Sequence, residues 1–149
     1  MGREIERKRK ESSDKNGERK ETATERRQRW EEEGKQQESI IESWAKANDL
    51  WLNDYQDPDG KKADSLESLM ESQWDYFDRG SEAIAYMFDD NTVIKAINLS
   101  HYDNNLMRAL DKIALHNTLS PNTALEVVGF GRDALGHFQI VVLQPYIQG

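Results

Sequence analysis

The sequence predicts an α+β protein: a small antiparallel sheet with one packed helix, preceded by short helices and a charged tail. Three observations lead there. After Gly80 the apolar residues follow the order strand, strand, helix, strand, strand. Before Glu38 the hydrophobic set is represented only by Met1, Ile5, Ala23 and Trp30, too few to offset the entropy of ordering a chain. The charge divides at the same place. Residues 1–37 hold 12 Lys/Arg and 10 Asp/Glu, net +2, so of the chain's 20 bases and 28 acids the remaining 8 and 18 fall in residues 38–149, net −10. The chain is therefore read as a charged tail over 1–37, a helical lead-in over 38–79 and a sheet-and-helix unit over 80–149. The tail is expected to be mobile or a lone charged helix without tertiary contacts.

Each element has its own signal. Ile40, Ile41, Trp44, Ala45 and Ala47 recur near helical spacing from Glu38 to about Asn48, and Trp51 and Leu52 anchor the exit. Asn53 to Gly60 is a turn cluster, and Leu66, Leu69 and Met70 mark a second short helical stretch over Ser65 to Trp74. Ala83 to Phe88, the turn Asp89-Asp90-Asn91 and Thr92 to Ile97 read as a hairpin. Asp103 to Asn117 places Leu106, Leu110, Ile113 and Leu115 on a helical stripe that ends before Pro121. Leu125 to Phe130 and Phe138 to Leu143 are the closing strands, joined by a Gly131-to-Gly136 turn. Val127, Val141, Ile94, Leu110, Ile113 and Leu106 are expected to share one core.

Composition excludes several classes. With no cysteine there is no disulfide, zinc-thiolate site or thiol nucleophile, which favours a reducing compartment, with the cytoplasm as the default. No apolar run approaches the ~18 residues of a spanning helix, so no membrane partner is expected. An acidic body argues against nucleic acid as a partner, since affinity for phosphates rests on clustered Lys and Arg. The runs Arg7-Lys8-Arg9-Lys10 and Arg26-Arg27-Gln28-Arg29 are the segments that would touch it, and glutamates interleave with both.

Lys95 is the residue that suggests chemistry. It lies on an otherwise apolar strand, between Ile94 and Ala96, after a hairpin that opens with Gly80-Ser81-Glu82. Protein kinases hold nucleotide phosphates with a strand lysine in such a setting. An edge lysine that protects a sheet from pairing is the competing reading. His101-Tyr102-Asp103-Asn104-Asn105 imitates the H-x-D…N loop of kinases, but its spacing and its place directly after the lysine strand are wrong. His116 and His137 have no second His or Cys at ligand spacing, so no metal site is expected, and His116 is read as packing or hydrogen-bonding at the helix end.

The stretch GSEAIAYMFDDNTVIKAIN, the block NLMRALDKIALHNTLSPNTALEVVGFGRD and the strand FQIVVLQPYI together resemble the amino-terminal lobe of the polyvalent-protein kinase domains of bacterial mobile elements. The resemblance covers roughly residues 80–147, and WAKANDLW at 44–51 looks like its lead-in. It implies a five-stranded lobe whose first strand lies near Trp74 to Gly80. It also implies ATP with Mg2+ as cofactor, with Gly80, Ser81, Glu82 and Ala83 in the phosphate-covering turn and Lys95 on the α and β phosphates. Only one glycine of the G-x-G-x-x-G loop is present. A helix carboxylate orients the lysine of such a lobe. Asp111 is the preferred candidate over Asp103, with a surface acid beside Arg108 or Lys112 as the alternative. At Leu143-Gln144-Pro145-Tyr146 the resemblance implies a hinge, with Leu143 at the pocket rear, the Gln144 carbonyl accepting from adenine and the Tyr146 amide donating to it. A strand ended by proline explains Pro145 equally well.

Because the base and metal-holding groups of kinases lie beyond such a hinge, the resemblance implies a lobe that needs a carboxy-terminal kinase lobe as its partner. Poor nucleotide affinity is expected of this part by itself. The competing class is a non-enzymatic interaction module of a mobile-element protein, in which the charged tail contacts a partner protein.

Overall fold

A computed structural model describes residues 20–56 and 59–146 of the protein. Helix α1 (Ala23–Ala47) comes first, followed by α2 (Leu66–Gln73), β1 (Asp75–Arg79), β2 (Ala83–Asp89), β3 (Thr92–Asn98), α3 (Leu106–Leu119), β4 (Glu126–Arg132) and β5 (Phe138–Pro145). The fold is α+β, as the sequence predicts. The five strands form one antiparallel sheet in the order β1-β2-β3-β5-β4, including the first strand that the resemblance implied.

Local chemistry sets most boundaries. Thr22 caps α1 in a reciprocal box with Glu25, and Ser65 caps α2 through the Ser68 amide. Helix α3 starts later than its apolar stripe suggests. Asp103 and Asn104 adopt left-handed φ of 56° and 51°, so Asn105 becomes the cap, its side chain accepting from the Arg108 amide. Asp103 instead pairs with Arg27 at 3.6 Å and Arg108 at 3.4 Å.

The expectation of a contact-free tail is corrected for residues 23–37; residues 1–19 lie outside the described residues. Helix α1 runs through position 38 without a break, and its first half packs on the start of α3. The Asn105 side-chain amide donates to the Trp30 carbonyl at 2.7 Å, the Arg108 guanidinium lies 4.0 Å from the Trp30 ring centroid, and the Met107 amide donates to Gln37 Oε1 at 3.1 Å. Counting hydrophobic residues overlooks this docking because backbone, amides and one glycine carry it.

The single core is corrected as well, because the sheet is covered on both faces. Side chains alternate across a strand, so Ile97, Ile140 and Val142 meet Leu106, Ala109 and Ile113 of α3, while Ile94, Ala96, Val141 and Tyr86 meet Leu66, Leu69 and Met70 of α2. Val127 is 38% exposed and belongs to neither buried cluster. On the α2 face the Tyr86 hydroxyl is buried without a hydrogen-bond partner, and burial, with Glu71 and Glu67 nearby, pushes its pKa up to about 12. The β4 edge is covered where Trp51 bridges Phe130 and the Phe130 amide donates to the Leu50 carbonyl. Among the described residues no helix is long and apolar enough to cross a membrane.

Candidate functional site

Strand parity places Lys95. It stands opposite Ala85 on β2 and Val142 on β5, and Val142 packs in the α3-face cluster, so the half-buried lysine shares that face with Val93 and Ile97. Among the described residues it has no ion pair and no side-chain hydrogen bond. A partly buried ammonium without a counter-charge is a place for an anion, since desolvation makes an uncompensated charge costly.

Asp111 does not supply the counter-charge, which corrects the sequence expectation. Leu106, Ala109 and Ile113 point α3 at the sheet, and Asp111, two residues past Ala109 and so about 200° around the helix, faces away. It is exposed, beside His101, Tyr102, Arg108 and Lys112 in a shallow depression of about 220 Å3. The sheet-facing positions of α3 carry no acid at all.

Gly80, Ser81, Glu82 and Ala83 form the β1–β2 turn, on the side of the sheet where β3 ends. The Gly80 amide donates to the Ala83 carbonyl at 2.9 Å, the Asn98 amide to the Glu82 carbonyl at 2.9 Å, and the Asn98 side chain to the Ser81 carbonyl at 3.2 Å. A Cβ at Gly80 would meet nothing within 4 Å. Gly80, Ser81 and Ala83 line a half-open cleft of about 910 Å3 that extends to α1 and the β4–β5 turn, and Gln139, 6% exposed, sits in it. Lys95, Gln144 and Tyr146 are not part of this cleft. The structure thus brings the turn and the lysine to neighbouring strands but leaves Asp111 apart.

The family model described as "Serine/Threonine/Tyrosine Kinase found in polyvalent proteins", Kinase-PolyVal, matches residues 34–149. The chain belongs to the Kinase-PolyVal family. No curated protein and no solved structure matches it. In this Kinase-PolyVal chain the lysine of the third strand stands on the sheet face that α3 covers.

Within the kinase-like domain the residues expected to form a hinge fall on both faces of the sheet. Leu143 packs on the α2 face, whereas Gln144, opposite Val93, shares the face of Lys95. The Tyr146 amide, expected to donate to adenine, donates to the Asn91 carbonyl at 2.8 Å. Bonded pairs alternate along an antiparallel ladder, so the Gln144 carbonyl is turned toward β3 too. The next carbonyl, of Pro145, points away from β3 on the side where β4 has already ended at Glu126, opposite Leu143. The Gln144 side chain donates to the Thr123 carbonyl at 3.2 Å, which His116 Nε2 also meets at 2.9 Å. The Tyr146 ring packs edge-on against Phe77, 4.9 Å between centroids.

Sequence reading overlooked Asn98, which ties the turn to β3, and Trp30, Gly34, Gln37 and Asn105, which tie α1 to α3. One signal was available. Gly34 interrupts a helix at a cost of about 1 kcal/mol against alanine, and such a residue needs a packing reason. Among the described residues no group of three or more His, Asp or Glu could hold a metal ion.

Proposed function

We propose that this chain is the nucleotide-binding lobe of a kinase-like phosphotransferase and that its ligand is ATP. The observation that carries the reading is Lys95, a half-buried cation without a partner among the described residues, on the helix-covered face of a sheet from a kinase family. In this reading its ammonium donates to the α and β phosphate oxygens and the Gly80–Ala83 turn covers them. The base lies toward the other end of β3, near Val93, Gln144 and the Pro145 carbonyl. Mg2+ would neutralise charge on the phosphates during transfer, and no group of three or more His, Asp or Glu among the described residues could hold it.

Phosphoryl transfer also needs an acceptor-positioning base. We therefore infer a second lobe as the partner, seated near the Gln144 end of β5, where Leu119 is 72% exposed and Phe77 and Val127 also face solvent. A place in a bacterial mobile-element protein belongs to the same reading, through the resemblance. Titration of the 149-residue chain with ATP, followed by amide NMR, tests it. Weak binding should shift Ala85, Val93, Lys95 and Gln144 resonances, and Lys95→Met should remove the shifts while preserving the spectrum of the fold. Equal shifts in both proteins would reject the assignment.

A further inference from the structure

We propose that residues 22–37, the first half of α1, act as a strap that positions the Gly80–Ala83 turn through the β3–α3 loop. The inference rests on the reading of that turn as the phosphate cover. Its basis is a continuous set of contacts that begins largely upstream of the family match, which starts at residue 34.

On the α1 side the docking is tight and specific. A Cβ at Gly34 would overlap the Asn104 carbonyl oxygen and lie 2.9 Å from Asn105 Cα, so helix and loop backbones touch with no room for a side chain. The Asn104 side chain donates to Glu31 Oε2 at 3.3 Å, and Asn105, 3% exposed, spends its amide on the Trp30 carbonyl at 2.7 Å. These two loop residues are therefore placed by α1.

On the other side the same loop holds the turn. The Asn104 and Tyr102 amides donate to the Leu99 carbonyl, the Ser100 amide and hydroxyl both donate to Asn98 Oδ1, and Asn98 Nδ2 donates to the Ser81 carbonyl. The 910 Å3 cleft lies between α1 and the turn, so the loop, and not direct packing, joins them. Asn98 is the joint, because its one side chain bonds both the loop and the turn.

The strap is also built to release. Apart from the close approach at Gly34, its contacts with the loop are polar and much of it is solvated: Arg27, paired with Asp103, is 66% exposed at the side chain. The second half of α1 is held differently, by fully buried Ala45 and by Arg132, which pairs with Glu38 and Glu42 at 3.3 and 3.1 Å. Undocking would therefore start at the Thr22 end and stop near Glu38, freeing the loop while the sheet stays intact.

Amide exchange on the 149-residue chain tests the link. Gly34→Val, and Trp30→Ala as a variant that creates no overlap, should each speed exchange at Asn104 to Met107 and also at the Gly80 amide by about tenfold, with Ile140 to Val142 unchanged. In an Asn98→Ala background the Gly80 amide should already exchange fast, and adding Gly34→Val should accelerate it no further. Loosening of Asn104 to Met107 with Gly80 exchange unaltered would overturn the proposal, as would an undiminished effect of Gly34→Val in the Asn98→Ala protein. ATP titration of the same variants separates the two readings. A loosened turn with unchanged ATP affinity would reject the turn as phosphate cover and leave the mechanical link standing.

Discussion

Lys95 owes its direction to parity: one register step along β3 would turn its side chain to the α2 face and bring Ile94 or Ala96 under α3. Its residue type and strand were legible in the sequence, because alternation and the turn at Asp89–Asn91 define β3 locally. The identity of a helix partner was not, since the phase of α3 against the sheet is set by which residues bury, and Ala109, rather than Asp111, does so. The same parity puts Leu143 on the α2 face and Gln144 on the face of Lys95. Asp111→Asn should therefore leave ATP-induced shifts unaltered. A loss of binding comparable with that of Lys95→Met would mean that α3 sits in another rotation when nucleotide is present.

The elements divide by how local their signals are. Strands β2 to β5 and helices α2 and α3 were readable from apolar spacing, turn residues and caps, to within a few residues at their ends. The first half of α1 was not, because its docking uses Gly34 and backbone carbonyls that hydropathy does not register. Gly34→Ala should lower the thermal midpoint although alanine is the better helix former by about 1 kcal/mol. A raised midpoint would show that the contact with Asn104 and Asn105 relaxes freely. Ile113→Ala, which empties a position buried against β5, should cost on the order of 2–5 kcal/mol in urea unfolding, and a cost below about half a kcal/mol would remove α3 from the core.

At the scale of the whole molecule, a sheet sandwiched by α3 and α1 on one face and α2 on the other makes two apolar layers, which a list of apolar residues cannot separate without the sheet register. Arg132 on β4 links α1 to the sheet. Burial, opposed by Arg132, holds the Glu38 carboxyl above its usual range, so the folded state is penalised as pH rises through the unfolded and then the folded pKa. Glu38→Gln should accordingly gain stability relative to the natural chain as pH rises above about 4, read from urea midpoints, and a gain confined to acid would reverse the sign assigned to Glu38. Contact between a nucleotide's phosphates and Lys95 on the α3 face can be read chemically. The most direct measurement is acylation by an acyl-phosphate derivative of ATP, which transfers its acyl group to an amine held beside the phosphates. Peptide mapping should find the label on Lys95 and its loss under excess ATP. Labelling that spares Lys95, or that spreads over exposed lysines such as Lys35 and Lys112 and is indifferent to ATP, would remove Lys95 from the phosphate site.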